Sequence, residues 1–412
     1  MKLKRLPEDF QVEELTEFAP ADSGEFAFYR LTKRGLGTPE AIDAVVERWK
    51  LSRERVSFGG LKDRHAVTTQ FITIHRGPRR DLRQTNIELE YLGQSQRPFA
   101  AADFIGNRFR IVMRSMTATE IADTEAALAE IERDGLPNYF DDQRFGSLGE
   151  SGEFVARAWI AGDYERALWL AIADANSLDR PRDRAEKSWL RDHWGDWPAC
   201  VAKLGRSPRI AIFRHLHGRP GDYRGALTRI RPDLRNLYLA AFQSFLWNRL
   251  LSDFVVETCQ PEQIGAVEVK MGELPFFTSL DDATRQSLHS TELPLPSSRI
   301  RLDDGPIRQL VERSLGELGL TMREIRVKYP RDSFFSKGWR PAGFSVSGLS
   351  HAAADDELYE GRRKLTLSFE LPRGSYATIL IKRVSAAALA ETEEPLAEAD
   401  IDSHEEETEA TV

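Results

Sequence analysis

Cysteine is nearly missing from this chain. There are two in 412 residues, Cys200 and Cys259, far apart and at neither metal-ligand spacing nor the spacing of a disulfide framework. That usage points to a reducing compartment. No apolar run approaches the roughly 18 residues that a membrane-crossing helix needs. The opening MKLKRLPEDF lacks the apolar core of a secretion signal, so a cytoplasmic location with no membrane partner is expected. There is no P-loop and no dinucleotide fingerprint, and Gly59-Gly60 does not fit a phosphate-binding loop. The eight histidines do not gather with cysteine or aspartate at metal spacing, and His215 with His217 reads as a surface pair. Neither a metal nor a cofactor is expected, and no internal repeat is visible.

What remains is the composition of a soluble globular protein, 41% hydrophobic and 30% charged, long enough for two or three domains. The net charge of -8 is concentrated at one end. Residues 386–412 hold ten acidic and no basic side chains, so the rest of the chain is about +2. The acidic tail, poor in aromatics, is expected to be disordered. A body of that charge can still present a basic groove to nucleic acid, because binding depends on how the charge is distributed.

Leu3 to Leu15 reads as a short strand or strand-turn. Glu25 to Thr32 (EFAFYRLT) alternates as a strand. Thr38-Pro39-Glu40 has the form of an N-cap followed by Pro at the first helical position, opening a helix to Trp49. The β-branched run Val67 to Ile74 predicts a strand, as do Leu89 to Leu92, Phe109 to Met113 and Lys364 to Leu371. Thr117 to Asp134 predicts an amphipathic helix closed by Gly135. Strands and helices mix without a regular βαβ repeat, which predicts an α+β domain around a mostly antiparallel sheet. From 150 to 235 the signals are helical, with a cluster of tryptophans at core spacing. Leu237 to Val256 predicts a long buried helix, and 265–346 returns to short strands and turns. A last helix is expected from Gly374 through Lys382.

Two stretches could carry chemistry. In Gly60-Leu61-Lys62-Asp63-Arg64-His65 a single carboxylate sits among cations, just after two glycines that open unusual backbone conformations and just before a strand. Asp63 should be an anion, which suits a nucleophile or a general base; the same residues also fit a charged surface turn. Asn138-Tyr139-Phe140-Asp141-Asp142-Gln143-Arg144-Phe145-Gly146 follows Pro137 and so begins as a loop. Its aromatics beside Asn and Arg suit a pocket for an unstacked base, and equally a loop packed by its own rings.

GLKDRHAVTTQ closely resembles the signature G-x-K-D-x-x-A-x-T-x-Q of the TruD-type tRNA pseudouridine synthases, matching at Gly60, Lys62, Asp63, Ala66, Thr68 and Gln70. The second stretch is similar to that family's N-Y-F-G-x-Q-R-F-G, with Asp141 at the usual Gly. If that Gly serves a positive φ, Asp is tolerated; if it admits an RNA phosphate, the added carboxylate opposes it. IGNRF at 105–109, SFLWN at 244–248 and LPRGSYAT at 371–378 extend the resemblance over residues 1–385. The helical stretch is longer than in the short bacterial members and more like archaeal and eukaryotic relatives.

The resemblance implies a mixed, mostly antiparallel sheet with flanking helices and an inserted TruD-type subdomain, with RNA between them. The partition it suggests is a catalytic domain at 1–150, 236–264 and 347–385, a helical extension at 151–235, the subdomain at 265–346 and the tail at 386–412. It implies a monomeric, cofactor-free tRNA pseudouridine synthase acting by base flipping, with uridine 13 the usual target. Asp63 would be the catalytic residue, Lys4 its ion-pair partner three residues before Pro7-Glu8-Asp9-Phe10, and Phe140 the residue packing on the base. Lys62 is the other basic neighbour, but adjacent strand residues face opposite ways. Asn138 and Arg144 would shape the loop or touch phosphate, and Arg64, Arg108, Arg110 and Lys382 would be phosphate contacts. The alternatives are a non-catalytic RNA-binding or chaperone protein on the same fold, and a nucleoside hydrolase.

Overall fold

A computed structural model describes residues 1–205 and 207–389; the acidic segment from position 390 onward lies outside the described residues. The chain forms two compact units. One holds Met1–Arg133, Val346–Ala377 and the residues from Ile381 on; the other holds Asp134–Ser345 and Thr378–Leu380. The segments read from sequence as the helical extension, the long helix and the inserted subdomain thus fall together in the second unit.

The first unit is built on nine strands: β1 (Phe10–Thr16), β2 (Phe26–Arg34), β3 (Val56–Phe58), β4 (Val67–His75), β5 (Leu82–Gln84), β6 (Ile87–Ser95), β7 (Phe104–Met116), β8 (Ser347–Asp355) and β9 (Arg363–Pro372). They lie in the order β8-β9-β7-β1-β4-β2-β6-β5, with β3 on β4. Every pairing is antiparallel except β1 with β4, where Gln11 lies opposite Val67 and Glu13 opposite Thr69. The fold is α+β with a mixed, mostly antiparallel sheet.

Strand parity builds the core. On β2, Ala27, Tyr29 and Leu31 point to the face where helix α1 (Thr38–Trp49) lays Ala41, Ile42 and Val45, together with Ile72 and Ile74 of β4. Phe28 and Phe71 point the other way and meet Phe99, with Phe18 and Phe104 at the margin. β4 is buried on both faces, and this is why it reads as an almost continuous apolar and β-branched run. Thr38 is the first helical residue, not the cap: Gly37 holds the cap position and no side chain caps it. Helix α2 (Ala118–Asp134) ends at Gly135, whose φ is +72°. An added Cβ there would meet Phe344 O at 2.5 Å, so the stop signal is also a packing requirement.

In the second unit, six helices between Val155 and Leu227 precede the long helix α3 (Pro232–Thr258). Asp163, Asp196 and Asp222 each accept the backbone N–H three residues on and cap three of the six, as their side-chain chemistry favours. Trp159 and Trp197 are core residues, while Trp169, Trp189 and Trp194 are half-buried. Expected to be buried, α3 instead hides one side, with Leu237 and Val256 exposed. A hairpin, Ile264–Val269 with Gly272–Phe277, and the helix Pro306–Gly316 follow. The final helix, α4 (Ala377–Leu389), outruns the expected end at Lys382.

The start of β1 is fixed by a buried charge network. The Asp9 carboxylate takes Nε and Nη2 of Arg114 at 2.8–3.0 Å, Arg114 Nη1 reaches Asp356 at 2.9 Å, and Leu6 N donates to Asp9 at 2.9 Å. Asp9 and Arg114 are 1% and 3% exposed. Removing the guanidinium strands two buried carboxylates, which typically costs about 3–5 kcal/mol. Arg114→Met is therefore expected to lower the unfolding free energy by about that amount in chemical denaturation at neutral pH; a loss under about 1 kcal/mol would show the network to be dispensable.

Candidate active site

Parallel strands begin at the same end of a sheet. Because β1 and β4 pair in parallel, the segment before Phe10 and the loop before Val67 emerge side by side. Lys4 Nζ lies 3.3 Å from Asp63 Oδ2, each side chain about one-third exposed. The ammonium also sits over the Phe10 ring, 4.0 Å from its centroid, a cation–π contact. Lys4 has φ +52°, a left-handed conformation that costs about 1–2 kcal/mol in a residue with a side chain. The two contacts hold it there.

The rest of the loop is secured through its backbone. Gln70 Nε2 donates to Gly60 O at 3.2 Å, while Thr38 Oγ1 donates to Gln70 Oε1 at 2.8 Å and accepts from Lys62 N at 3.0 Å. The Thr38 hydroxyl, read from sequence as a helix cap, ties α1 to the loop instead. Gly59 and Gly60 do not have positive φ, contrary to the reading of this pair as a source of unusual backbone conformations. Gly59 is needed for space: a Cβ would lie 3.0 Å from the Phe99 ring and 3.4 Å from Glu14 Oε1.

Lys62 turns away from Asp63 and inward. Its Nζ donates to Asn107 Oδ1 at 2.6 Å, lies 3.5 Å from Glu14 Oε1 and rests over the Phe104 ring. Glu14, fully buried on the inner face of β1, accepts Phe71 N at 2.8 Å through its other oxygen. Burial pushes Glu14 up and Lys62 down from their ordinary values, each opposed by the charge of the other. Beneath the loop Lys33, with no exposed surface, donates to the carbonyls of Leu36, Asp63 and Lys62 at 2.5, 2.7 and 3.4 Å. Burial pushes its pKa down to about 8, with Asp63 and Glu40 pulling it back up.

A second cluster lies within the other unit. The short strand Leu136–Pro137 pairs with Gly343–Phe344 and delivers Asn138, Tyr139 and Phe140 into a buried loop. Asn248 of α3 holds the Phe140 backbone on both sides, accepting its N–H and donating to its carbonyl, each at 2.8 Å. The Arg340 guanidinium lies over the Phe140 ring, 4.3 Å from the centroid, and donates to the backbone and side-chain oxygens of Asn138. Arg144 Nε donates to Ser244 Oγ at 3.1 Å and its guanidinium is 5.5 Å from the same ring. The Asn138 and Arg144 side chains thus hydrogen-bond to Pro341 O, Arg340 and Ser244. Asp141 has φ -79° and accepts Gln143 N, capping the turn Asp142–Phe145. The position does not call for positive φ, and the carboxylate substitutes a cap for the family's glycine.

Each cluster is complete within its own unit: Asp63 with Lys4 in one, Asn138, Phe140 and Arg144 in the other. Among the candidate phosphate contacts, Arg64 and Arg110 are exposed and Lys382 is half-buried. Arg108 already bridges Glu13 and Glu370 across the sheet. Lys33, Glu14 and Arg340 were missed by the sequence reading. For Lys33 a signal existed, since it shares the inward parity of Ala27, Tyr29 and Leu31; Arg340, in a turn-rich stretch, gave none. Among the described residues, no group of His, Cys, Asp and Glu is placed to hold a metal, and no helix is long and apolar enough to cross a membrane.

Comparison with known proteins identifies the family. The family pattern of tRNA pseudouridine synthase D (TruD) matches residues 1–384. A Methanocaldococcus jannaschii protein named "Probable tRNA pseudouridine synthase D 2" is 31% identical, over 93% of this chain and 91% of its own length. The tRNA pseudouridine synthase D of Aquifex aeolicus is 27% identical, over 93% and 98%. A crystal structure of the Methanosarcina mazei TruD homologue superposes with a TM-score of 0.71 at 26% identity, covering 93% of each chain. With both signature loops in place on a matching fold, the chain belongs to the tRNA pseudouridine synthase D (TruD) family of RNA-modifying isomerases.

Proposed function

We propose that this protein converts a uridine of tRNA, uridine 13 by the family's usual site, to pseudouridine. The observation that carries the reading is the Asp63–Lys4 pair, one carboxylate held beside an ammonium at the head of two parallel strands, within a loop whose backbone is fixed by Thr38, Gln70 and Lys33. The reaction balances without a cofactor, since substrate and product are isomers: the bond from N1 to the ribose breaks, one from C5 forms, the proton on C5 leaves and N1 gains one. The uridine must first leave its stack. Asp63 then acts as nucleophile or general base, with the Lys4 ammonium 3.3 Å from its Oδ2. Phe140, stiffened by Asn248 and Arg340, offers a ring to the flipped base. Asn138 and Arg144 hold that ring's loop. Arg64 and Arg110, both exposed, would meet phosphate.

The test is to incubate the full chain with an unmodified tRNA transcript and map pseudouridine. The expected result is conversion at position 13, with no free uracil, and a rate reduced by roughly 10²–10⁴-fold in Asp63→Asn. No pseudouridine from the wild type would sink the reading in favour of a non-catalytic RNA binder, free uracil would point to a hydrolase, and unchanged turnover in Asp63→Asn would remove the site assignment.

Lys4 gives a second, separable expectation. An ion pair this exposed contributes at most about 1 kcal/mol to folding, so Lys4→Met should leave stability within that margin. Its rate should fall roughly tenfold or more, equivalent to about 1.4 kcal/mol of transition-state stabilisation. Paired denaturation and turnover measurements check this; equal effects on both would contradict it.

A further inference from the structure

Lys33 is the one charged side chain of β2 that the alternation of the strand turns inward. Ala27, Tyr29 and Leu31 precede it on the same face and pack under α1. Where the apolar contacts of that face end, its ammonium meets three backbone carbonyl oxygens, of Leu36, Lys62 and Asp63, at 2.5, 3.4 and 2.7 Å. An ammonium has three N–H donors and no acceptor, so the site is matched in number and kind. Two of the three acceptors belong to the residues at and before the carboxylate that the proposed chemistry uses. Fully buried lysine is rare unless its charge is satisfied, and a structural lysine on a helix or strand terminus would serve as well without gripping this loop.

We propose that Lys33 is a positioning residue for the reaction, a clamp that holds the backbone of Lys62 and Asp63 and thereby sets where the Asp63 carboxylate stands. The inference rests on the function proposed above. It has a consequence in pH. A neutral amine keeps two N–H groups and turns a lone pair toward carbonyl oxygens, so the clamp loosens when the proton leaves. The charged groups facing this nitrogen are Asp63 and Lys62 on the loop and Glu40 on α1, and the balance among them and burial places the transition at about 8. Turnover should therefore decline as pH rises through that value, below the range of an ordinary lysine.

Three proteins decide the matter: the wild type, Lys33→Arg, which keeps the charge, and Lys33→Met, which keeps the bulk and loses it. Single-turnover rates on the tRNA transcript are measured from pH 6.5 to 9.5, with tRNA affinity alongside, and amide hydrogen exchange of residues 60–66 is followed in the free proteins. Lys33→Met should lose about 100-fold in rate, the scale of a 1 Å misplacement of a reacting group, with tRNA affinity within about threefold of the wild type. Its exchange in the loop should quicken by about tenfold. The wild-type rate should fall above pH 8, whereas Lys33→Arg should keep most of its activity at pH 7 and lack that fall. Because the substrate titrates identically in all three, the difference between the profiles reports position 33.

A wild-type profile that is flat from pH 7 to 9.5, or Lys33→Met with wild-type rate and exchange, overturns the proposal. If Lys33→Met does not fold, the wild-type and Lys33→Arg profiles still decide it. If the wild type makes no pseudouridine at all, the proposed function fails, and hydrogen exchange in the free proteins still tests the clamp independently: protection of residues 60–66 that is unchanged across pH 7–9.5, once the base-catalysed rise of intrinsic exchange is divided out, refutes it.

Discussion

One pairing organises the first unit: β1 runs parallel to β4 in a sheet where the other pairings are antiparallel. Antiparallel neighbours would place the N-terminal segment and the Asp63 loop at opposite ends. Parallel register places both strand beginnings together, so Lys4 and Asp63, 59 positions apart, become an ion pair. The buried Arg114 network fixes the entry to β1, and Thr38, Gln70 and Lys33 fix the entry to β4. The site is the meeting of two chain entries, each held from behind by buried polar groups.

Those groups divide the electrostatic work by depth. Lys4 and Asp63 stand in partial contact with water, where their attraction is screened and each remains available to a ligand. Lys62 and Lys33 lie deeper and direct their charge at a carboxylate and at carbonyl dipoles, where burial strengthens each interaction. The exposed cation pairs with the carboxylate, and the buried cations hold the loop that carries it. The Phe140 loop of the second unit follows the same logic, with an aromatic ring made rigid by one amide from α3 and one guanidinium above it, both directed at backbone or ring.

The sequence shows this fold where one rule dominates. β2, β4, β9 and α1 were legible because alternation or helical spacing agrees with burial, and α2 because Gly135 is also a forced close contact. The motif residues Gly60, Lys62, Asp63 and Gln70 could be located, but the hydrogen bonds that Lys62 and Gln70 make could not. Thr38 reads as a cap because hydroxyls usually cap, and only the tertiary fold brings Gln70 and the Lys62 amide within reach. Gly59 reads as a source of unusual backbone conformation, whereas the cause is the nearness of Phe99 and Glu14. Arg340 was invisible because its partner ring comes from a loop 200 residues earlier, and no local pattern encodes that meeting. β7 begins at Phe104, ahead of the expected Phe109, because its first residues alternate weakly and are held by β1 and β9 on either side.

The sheet is also closed late. β7 pairs with β9, so that Arg108 meets Glu370 from 262 positions away, and residues Asp134–Ser345 of the second unit lie between them in sequence. On the ribosome, at roughly 5–20 residues per second, one edge of β7 waits on the order of ten seconds to a minute for its neighbour to be made. During that interval it is a long strand with unpaired backbone groups, the kind of edge that recruits other chains. The charged residues Arg108 and Arg110, which alternate along β7 with Phe109 and Ile111, keep that edge from being uniformly apolar while it waits. Biogenesis is thus one constraint on where this chain carries arginine.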